Sequence, residues 1–362
     1  MIRLRRGTVT EILEERPGAV EISVDVDGAP ARALCYPDLS GPVRVGDRVL
    51  LNTTAVHLDL GTGGLHFVVA TEGSSDLDLE GPGQLMKLRY TPLQVAASGV
   101  EEDGPKEGAE DLGGCPVVWI PLHSMLGPVA AGAKAARAER VVYVMTDHGA
   151  LLVGLSRSLA ELRAAGLVDA VVTAGQAFGG DLEAVSVFSG LLAARHAAGA
   201  DVIVVGDGPG SLGTATTWGA SSLDSAASLN AGGILGGRPV AALRISFADP
   251  RERHRGVSHH SLTALARVAL VETHVAVPVI EDEDRRLQVW EALRGARLEE
   301  RHQLVEATGQ PALDALAASG IEPRSMERTV RDDPEFFLAA GAAGVLAGRM
   351  ATGDRAWRAG RQ

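Results

Sequence analysis

The chain has 362 residues, 46% of them apolar, enough to bury a substantial core across two or three domains, so disorder is excluded as the default. Its 34 basic and 46 acidic residues leave a formal net charge of −12, which repels a phosphate backbone and argues against general nucleic-acid or anionic-membrane binding. Two cysteines, Cys35 and Cys115, lie far apart without metal-ligand or redox spacing, which argues against a disulfide framework or a cysteine zinc site and fits a reducing cytoplasm.

The N-terminus begins basic but meets Glu11, Glu14 and Glu15 before any apolar stretch, so no signal peptide is expected. From Ile2 to Ala70 the sequence alternates in runs such as VEISVDV (20–26) and RVLLNTTAVHLDL (48–60), broken by Pro-Gly, Asp-Gly and Gly-Asp turns. This pattern predicts a small antiparallel, barrel-like β module over residues 1–75. It offers only Tyr36 and Phe67 as aromatics, too few for a base-stacking groove, so a structural or partner-docking role is expected. Residues 76–115 read as a linker, because TEGSSDLDLEGPG (71–83) and ASGVEEDGPKEGAEDLGG (97–114) are polar and glycine-rich without a period.

From Pro116 onward apolar strands alternate with amphipathic helices. The candidate strands are residues 116–122, 140–146, 167–174, 201–206, 239–247 and 274–279, with a further short one near His302–Val305. The expected fold is α/β: a doubly wound, mainly parallel, Rossmann-like three-layer sheet over residues 116–350, preceded by the β module and followed by a tail over 351–362. Leu182, Val185, Phe188, Leu191 and Leu192 space as one helical stripe, with Asp181 as its N-cap. Phe336–Ala347 is too short to span a bilayer and reads as a packed helix.

In such a sheet a ligand lies beyond the carboxyl ends of the strands. The loops there carry His123; Asp147 and His148; GQAFGGDLEA with Asp181; GDGPGSLGTAT with Asp207; and ADPRERHRGVSHHS with Asp249, Arg251, His254, His259 and His260. GPGSLG (208–213) matches G-x-G-x-x-G, but it follows the fourth strand and lacks the acidic residue of a dinucleotide site, so NAD is not expected. A cradle for one phosphate or carboxylate, built on Gly208, Gly210, Ser211, Gly213 and Thr214, competes evenly with a purely structural glycine loop.

Three of the ten histidines fall between His254 and His260, beside Arg251, Arg253 and Arg255. With Ser258 as a cap, His259 and His260 occupy the first turn of a helix, whose positive pole favours neutral imidazoles. Such groups suit a general base or a metal ligand, and the arginines call for an anionic ligand. Single histidines of this kind are more often packing residues; the group together favours function. Adjacent histidines diverge on regular backbone, so His259 and His260 are not expected to share one divalent metal; a site would need His254 or Asp147 and Asp207. No serine, P-loop, zincin or C-x-x-C signature is present.

YTPLQ (90–94), GQAFGGDLEAVSVFSGLLAARH (175–196), GPGSLGTAT and RISFADPRERHRGVSHHS (244–261), in that order, resemble a bacterial family catalogued only as domain-of-unknown-function family thirty-eight sixty-six. The resemblance spans nearly the whole chain and implies a bacterial, intracellular origin but no chemistry. Asp207 and His148 depart from the family's pattern, whereas Asp249, His254, His259 and His260 do not. The expectation is an enzyme, a hydrolase or group transferase, on a small anionic or phosphorylated metabolite. Residues of the 207–217 loop and Arg251 would hold the anion, helped by His123 and Asp181, and His259 or His254 would move the proton, with His260, Asp249 and Asp147 as further catalytic candidates. The competing expectation is a non-catalytic sensor or assembly factor. A homodimer is expected on base rates alone.

Overall fold

The computed structural model describes residues 2–72, 83–102 and 110–354. These divide into two compact units, one of the residues up to Ser98 together with Leu152–Ala160, the other of Gly99–Leu151 and the residues from Glu161 onward.

In the first unit, alternation turns one side of each strand inward. β1 (Leu4–Arg16), β2 (Ala19–Val26) and β3 (Ala29–Cys35) form an antiparallel meander. The β2–β3 turn is Asp27-Gly28, both at positive φ (56° and 83°), which matches the twist of a two-residue hairpin. After a one-turn helix, α1 (Pro37–Ser40), come β4 (Arg48–Asn52), α2 (Thr54–His57) and β5 (Leu65–Glu72). The strands close in the order β1-β2-β3-β5-β4, around Val9, Ile22, Val24, Ala33, Cys35, Val49, Leu51 and Val68. The expected barrel is therefore present. Residues 48–60 are not one strand, however: the Asn52 side chain accepts a hydrogen bond from the Thr54 amide (3.1 Å) and turns the chain into α2. Tyr36 and Phe67 stack on each other with centroids 6.3 Å apart. Two short strands, β6 (Leu85–Lys87) and β7 (Val95–Ala97), pair within the segment read as linker. Residues 73–82 and 103–109 of the two polar stretches, and 355–362 of the tail, lie outside the described residues.

The second unit holds β8 (Pro116–Trp119), α3 (Leu126–Ala135), β9 (Val141–Thr146), β10 (Ala170–Ala174), β11 (Leu182–Ala184), α5 (Val187–His196), β12 (Val202–Asp207), α6 (Ser222–Ile234) and β13 (Arg238–Ala242). The helix between β9 and β10 is α4 (Arg157–Ala164). Then follow the β14 (Ile245–Ser246) and β15 (Gly256–Val257) pair, α7 (His259–Thr263), β16 (His274–Pro278), α8 (Glu283–Gly295), β17 (Gln303–Ala307), α9 (Gln310–Ala318) and α10 (Pro334–Ala351). Eight strands pair in parallel in the order β11-β10-β9-β12-β8-β13-β16-β17.

Helices α5 and α6 pack their Leu191, Ala226 and Leu229 on Val117, Trp119, Val142 and Val144, and α3, α9 and α10 form another layer. This is the expected doubly wound, Rossmann-like architecture. Two strand assignments change. Residues 239–247 split into β13 and β14, and Leu182–Ala184, expected at the start of a helix, is the edge strand β11. The helix begins instead at Val187, where Ser186 and Ser189 form a reciprocal cap. Asp181 consequently does not cap it; its carboxylate accepts from the Val171 amide (2.8 Å) and from Arg163 (2.7 Å).

From β9 the chain winds outward to β10 and β11, whereas from neighbouring β12 it crosses β8 to reach β13. Connections therefore leave β9 and β12 in opposite directions, which opens a crevice at their carboxyl ends. Among the described residues no helix is long and apolar enough to cross a membrane.

Candidate functional site

β9 and β12 end side by side at Thr146 and Asp207, and the Thr146 hydroxyl donates to Asp207 Oδ1 at 2.7 Å. Burial raises the Asp207 carboxyl above the ordinary range, against the lowering effect of that hydrogen bond. A cleft of about 210 Å³ opens beside Thr146, beyond the ends of β9 and β10, lined by Thr146, Asp147, Gly175, Ser186, Asp224 and Ser225 among others. That is below the roughly 300–1,000 Å³ of ordinary ligand pockets and leaves room for only part of a small metabolite. Asp147 also ties the loops together: Oδ2 accepts from the Gln176 amide (2.9 Å) and Oδ1 from the Ala150 amide (3.2 Å). The helix-borne Asp224 and Ser225 were not singled out by sequence, because polar residues in a helix ordinarily signal only its solvent side.

His123, beyond β8, is buried with Nδ1 3.3 Å from the Tyr143 hydroxyl, which itself donates to the Asp207 carbonyl at 2.8 Å. Desolvation lowers its pKa to about 4, so the ring is a neutral support for the end of β12.

The glycine loop after Asp207 is closed on itself at three amides, of which Thr214 alone belongs to the expected cradle. Thr214 donates its amide to the Gly219 carbonyl (2.8 Å), Leu212 donates to Ser221 Oγ (3.1 Å), and the Thr216 amide donates to Thr214 Oγ1 (3.2 Å). These amides are not available to a phosphate. Gly208 is explained by packing, since a Cβ there would lie 3.0 Å from Leu151 Cδ1 and Met145 Sδ. Gly210, at φ 95°, takes a backbone form that side chains disfavour and has open space around it. Ser211 is half-buried beside it.

The loop meets the histidine cluster. His260 Nε2 donates to the Thr216 carbonyl at 3.2 Å, and a Cβ on Gly213 would lie 3.4 Å from the same ring. Ser258 precedes α7, so His259 and His260 do stand in its first turn, and a single 3₁₀ turn (Glu252–His254) folds His254 over them. The ring centroids of His259 and His260 are 3.8 Å apart, and those of His254 lie 5.2 and 5.6 Å from them. One nitrogen from each ring lies within 4.8 Å of the others. The expected divergence of His259 and His260 is thus absent: in this short turn both rings swing to the side that His254 covers. Burial, then the charges of Arg244 and Arg251, lowers the His254 pKa to about 3; burial also lowers His259 and His260. All three rings are neutral and keep their lone pairs.

Asp249 organises the arginines. Its buried carboxylate accepts from Arg251 Nε and Nη2 (2.9 and 2.8 Å) and Arg244 Nη2 (3.0 Å), with Arg328 at 3.8 Å. The guanidinium of Arg251, foremost, holds it far below the usual carboxylate range. Asp249 therefore has no proton-accepting work at neutral pH, and Arg251, expected to hold an anion, already has one. Arg253 and Arg255 have no acidic partner among the described residues, and of the two it is Arg253 whose Nε is buried without a hydrogen bond. None of the three histidines lines the cleft at Thr146, so the sheet edge carries two separate features: a mainly apolar cleft bordered by Asp147, and an imidazole–guanidinium cluster against the glycine loop.

The family described as a protein of unknown function, DUF3866, matches residues 32–344, from β3 of the barrel into α10. The chain belongs to that family. No curated protein matches it. The match takes in both the cleft and the imidazole cluster, and with them every candidate residue named above.

Proposed function

We propose that this DUF3866 protein is an enzyme, a hydrolase or group transferase, for a small anionic metabolite, with its reaction centre at His254, His259 and His260. The observation that carries this reading is the convergence of three neutral imidazoles, two buried and one half-buried, beside an unpaired guanidinium. Arg253 holds the anionic group. One imidazole takes the proton of an attacking oxygen as that oxygen bonds to the acyl or phosphoryl centre, and the resulting imidazolium returns the proton to the departing oxygen as its bond to that centre breaks. The Asp249 network keeps Arg244 and Arg251 in place beneath the cluster. A second reading, a non-catalytic sensor, is favoured by the exposure of Leu212 (70%) and Trp218 (59%) on the loop that touches His260, where a bound ligand would alter a surface open to a partner.

Turnover separates the two. A panel of phosphomonoesters, nucleotides and acyl phosphates, followed for product, is expected to yield a substrate whose conversion falls roughly 100-fold or more in His259→Ala. A compound that stabilises the protein yet is never converted contradicts the enzyme and supports the sensor.

A further inference from the structure

We infer that His254, His259 and His260 bind one divalent transition-metal ion of the zinc class. A metal site needs converging donors, free lone pairs and partners that fix each ring. One nitrogen per ring already lies within 4.8 Å of the other two. Zinc at 2.0–2.1 Å from three tetrahedral ligands sets their nitrogens about 3.3 Å apart, so the grip closes when the rings turn inward and the His259–His260 pair, with centroids 3.8 Å apart, opens. His260 spends Nε2 on the Thr216 carbonyl and keeps Nδ1, and His254 shares Nδ1 with Ser258 Oγ at 2.9 Å and keeps Nε2. Hydrogen bonds of this kind, from the second ring nitrogen to a backbone carbonyl or hydroxyl, orient metal-bound imidazoles. His259 Nε2 is buried with no hydrogen-bond partner, and a bound ion is one way to satisfy it.

The donor set selects the ion. Three imidazoles with no carboxylate among them suit zinc, cobalt, nickel, copper or iron and not magnesium or calcium. Three protein ligands leave at least one position open, as in catalytic rather than structural zinc sites. Arg253 lowers affinity for a bare cation by charge repulsion, and the same charge favours an anion or hydroxide in the open position. The assignment rests on the imidazole geometry alone; an ion held by all three rings would take the lone pairs that the reaction proposed above uses, and the attacking oxygen would then be activated at the open position instead, so cobalt uptake is read without any metabolite.

The test is a titration of the chelator-stripped full chain with cobalt(II), with no metabolite present. One equivalent is expected to bind, with the visible bands of low-coordinate cobalt, and zinc is expected to displace it. His259→Ala and His254→Ala are expected to lose the bands, and His196→Ala, outside the cluster, to keep them. Ser258→Ala, which leaves all three ligands in place, is expected to weaken binding about tenfold and decides the matter if either histidine variant does not fold. Wild-type protein that takes up no cobalt, or variants that bind it as wild type does, would overturn the assignment.

Discussion

Gly344→Ala is expected to lower the stability of the fold by about 2 kcal/mol or more, although alanine is the better helix former by about 1 kcal/mol. The reason is backbone contact. Helix α10 crosses α3 so closely that a Cβ on Gly344 would lie 2.0 Å from the Val129 carbonyl oxygen, and one on Gly132 would lie 2.5 Å from that of Gly341. No flexible side chain is there to move aside, so the helices must separate and release packing along the sheet. Gly295, the last residue of α8, has nothing within 4 Å of its Cβ position, and Gly295→Ala is expected to leave stability unchanged or slightly raised. Denaturant midpoints of the two variants check this; equal midpoints would mean that α3 and α10 are not in backbone contact.

Asp249→Ala is expected to cost roughly 3–5 kcal/mol, the range for removing one partner of a buried ion pair. Asp249 has no exposed side-chain surface, and the change leaves Arg244 and Arg328, 11% and 16% exposed, facing each other with only Asp333 nearby, 3.5 Å from Arg328. Asp249→Asn keeps some hydrogen bonding but loses the charge and is expected to fall between. Measured by urea unfolding, a loss under about 1 kcal/mol would show that solvent already screens these charges. The loop from Arg251 to Ser258 hangs on this carboxylate, so the variant is also expected to lose cobalt binding.

How much of this was legible in the sequence depended on how local each feature is. Buried parallel strands read as continuous apolar runs, and β8, β9, β10, β12 and β16 were visible for that reason. β11 was not, because Leu182–Ala184 is three residues long and its neighbours fall at helical spacing; only pairing with β10 makes it a strand. The histidine cluster was legible because its members are close in sequence. Its convergence was not, since regular helix geometry separates adjacent side chains and here the turn is five residues long and covered by His254. Arg251 reads in sequence as an anion holder, and its pairing with Asp249 is not legible there because that partner, two residues away, could equally have pointed elsewhere. Arg253 and Arg255, with the same composition around them, are left without a carboxylate among the described residues, and Arg253 alone of the two has a buried, unbonded Nε. The cleft's Asp224 and Ser225 come from a helix and reach the end of β9 only through the packing of α6 beside α5, which is not local in sequence.

The most direct measurement of the central claim is the affinity of inorganic phosphate and a simple phosphomonoester for the wild-type chain and for Arg253→Ala and His259→Ala, read by calorimetry at low salt. Saturable binding to wild type that drops at least about tenfold in each variant, equivalent to about 1.4 kcal/mol, is the result predicted. Binding of equal strength in all three proteins, or in none, would contradict a site at the imidazole cluster.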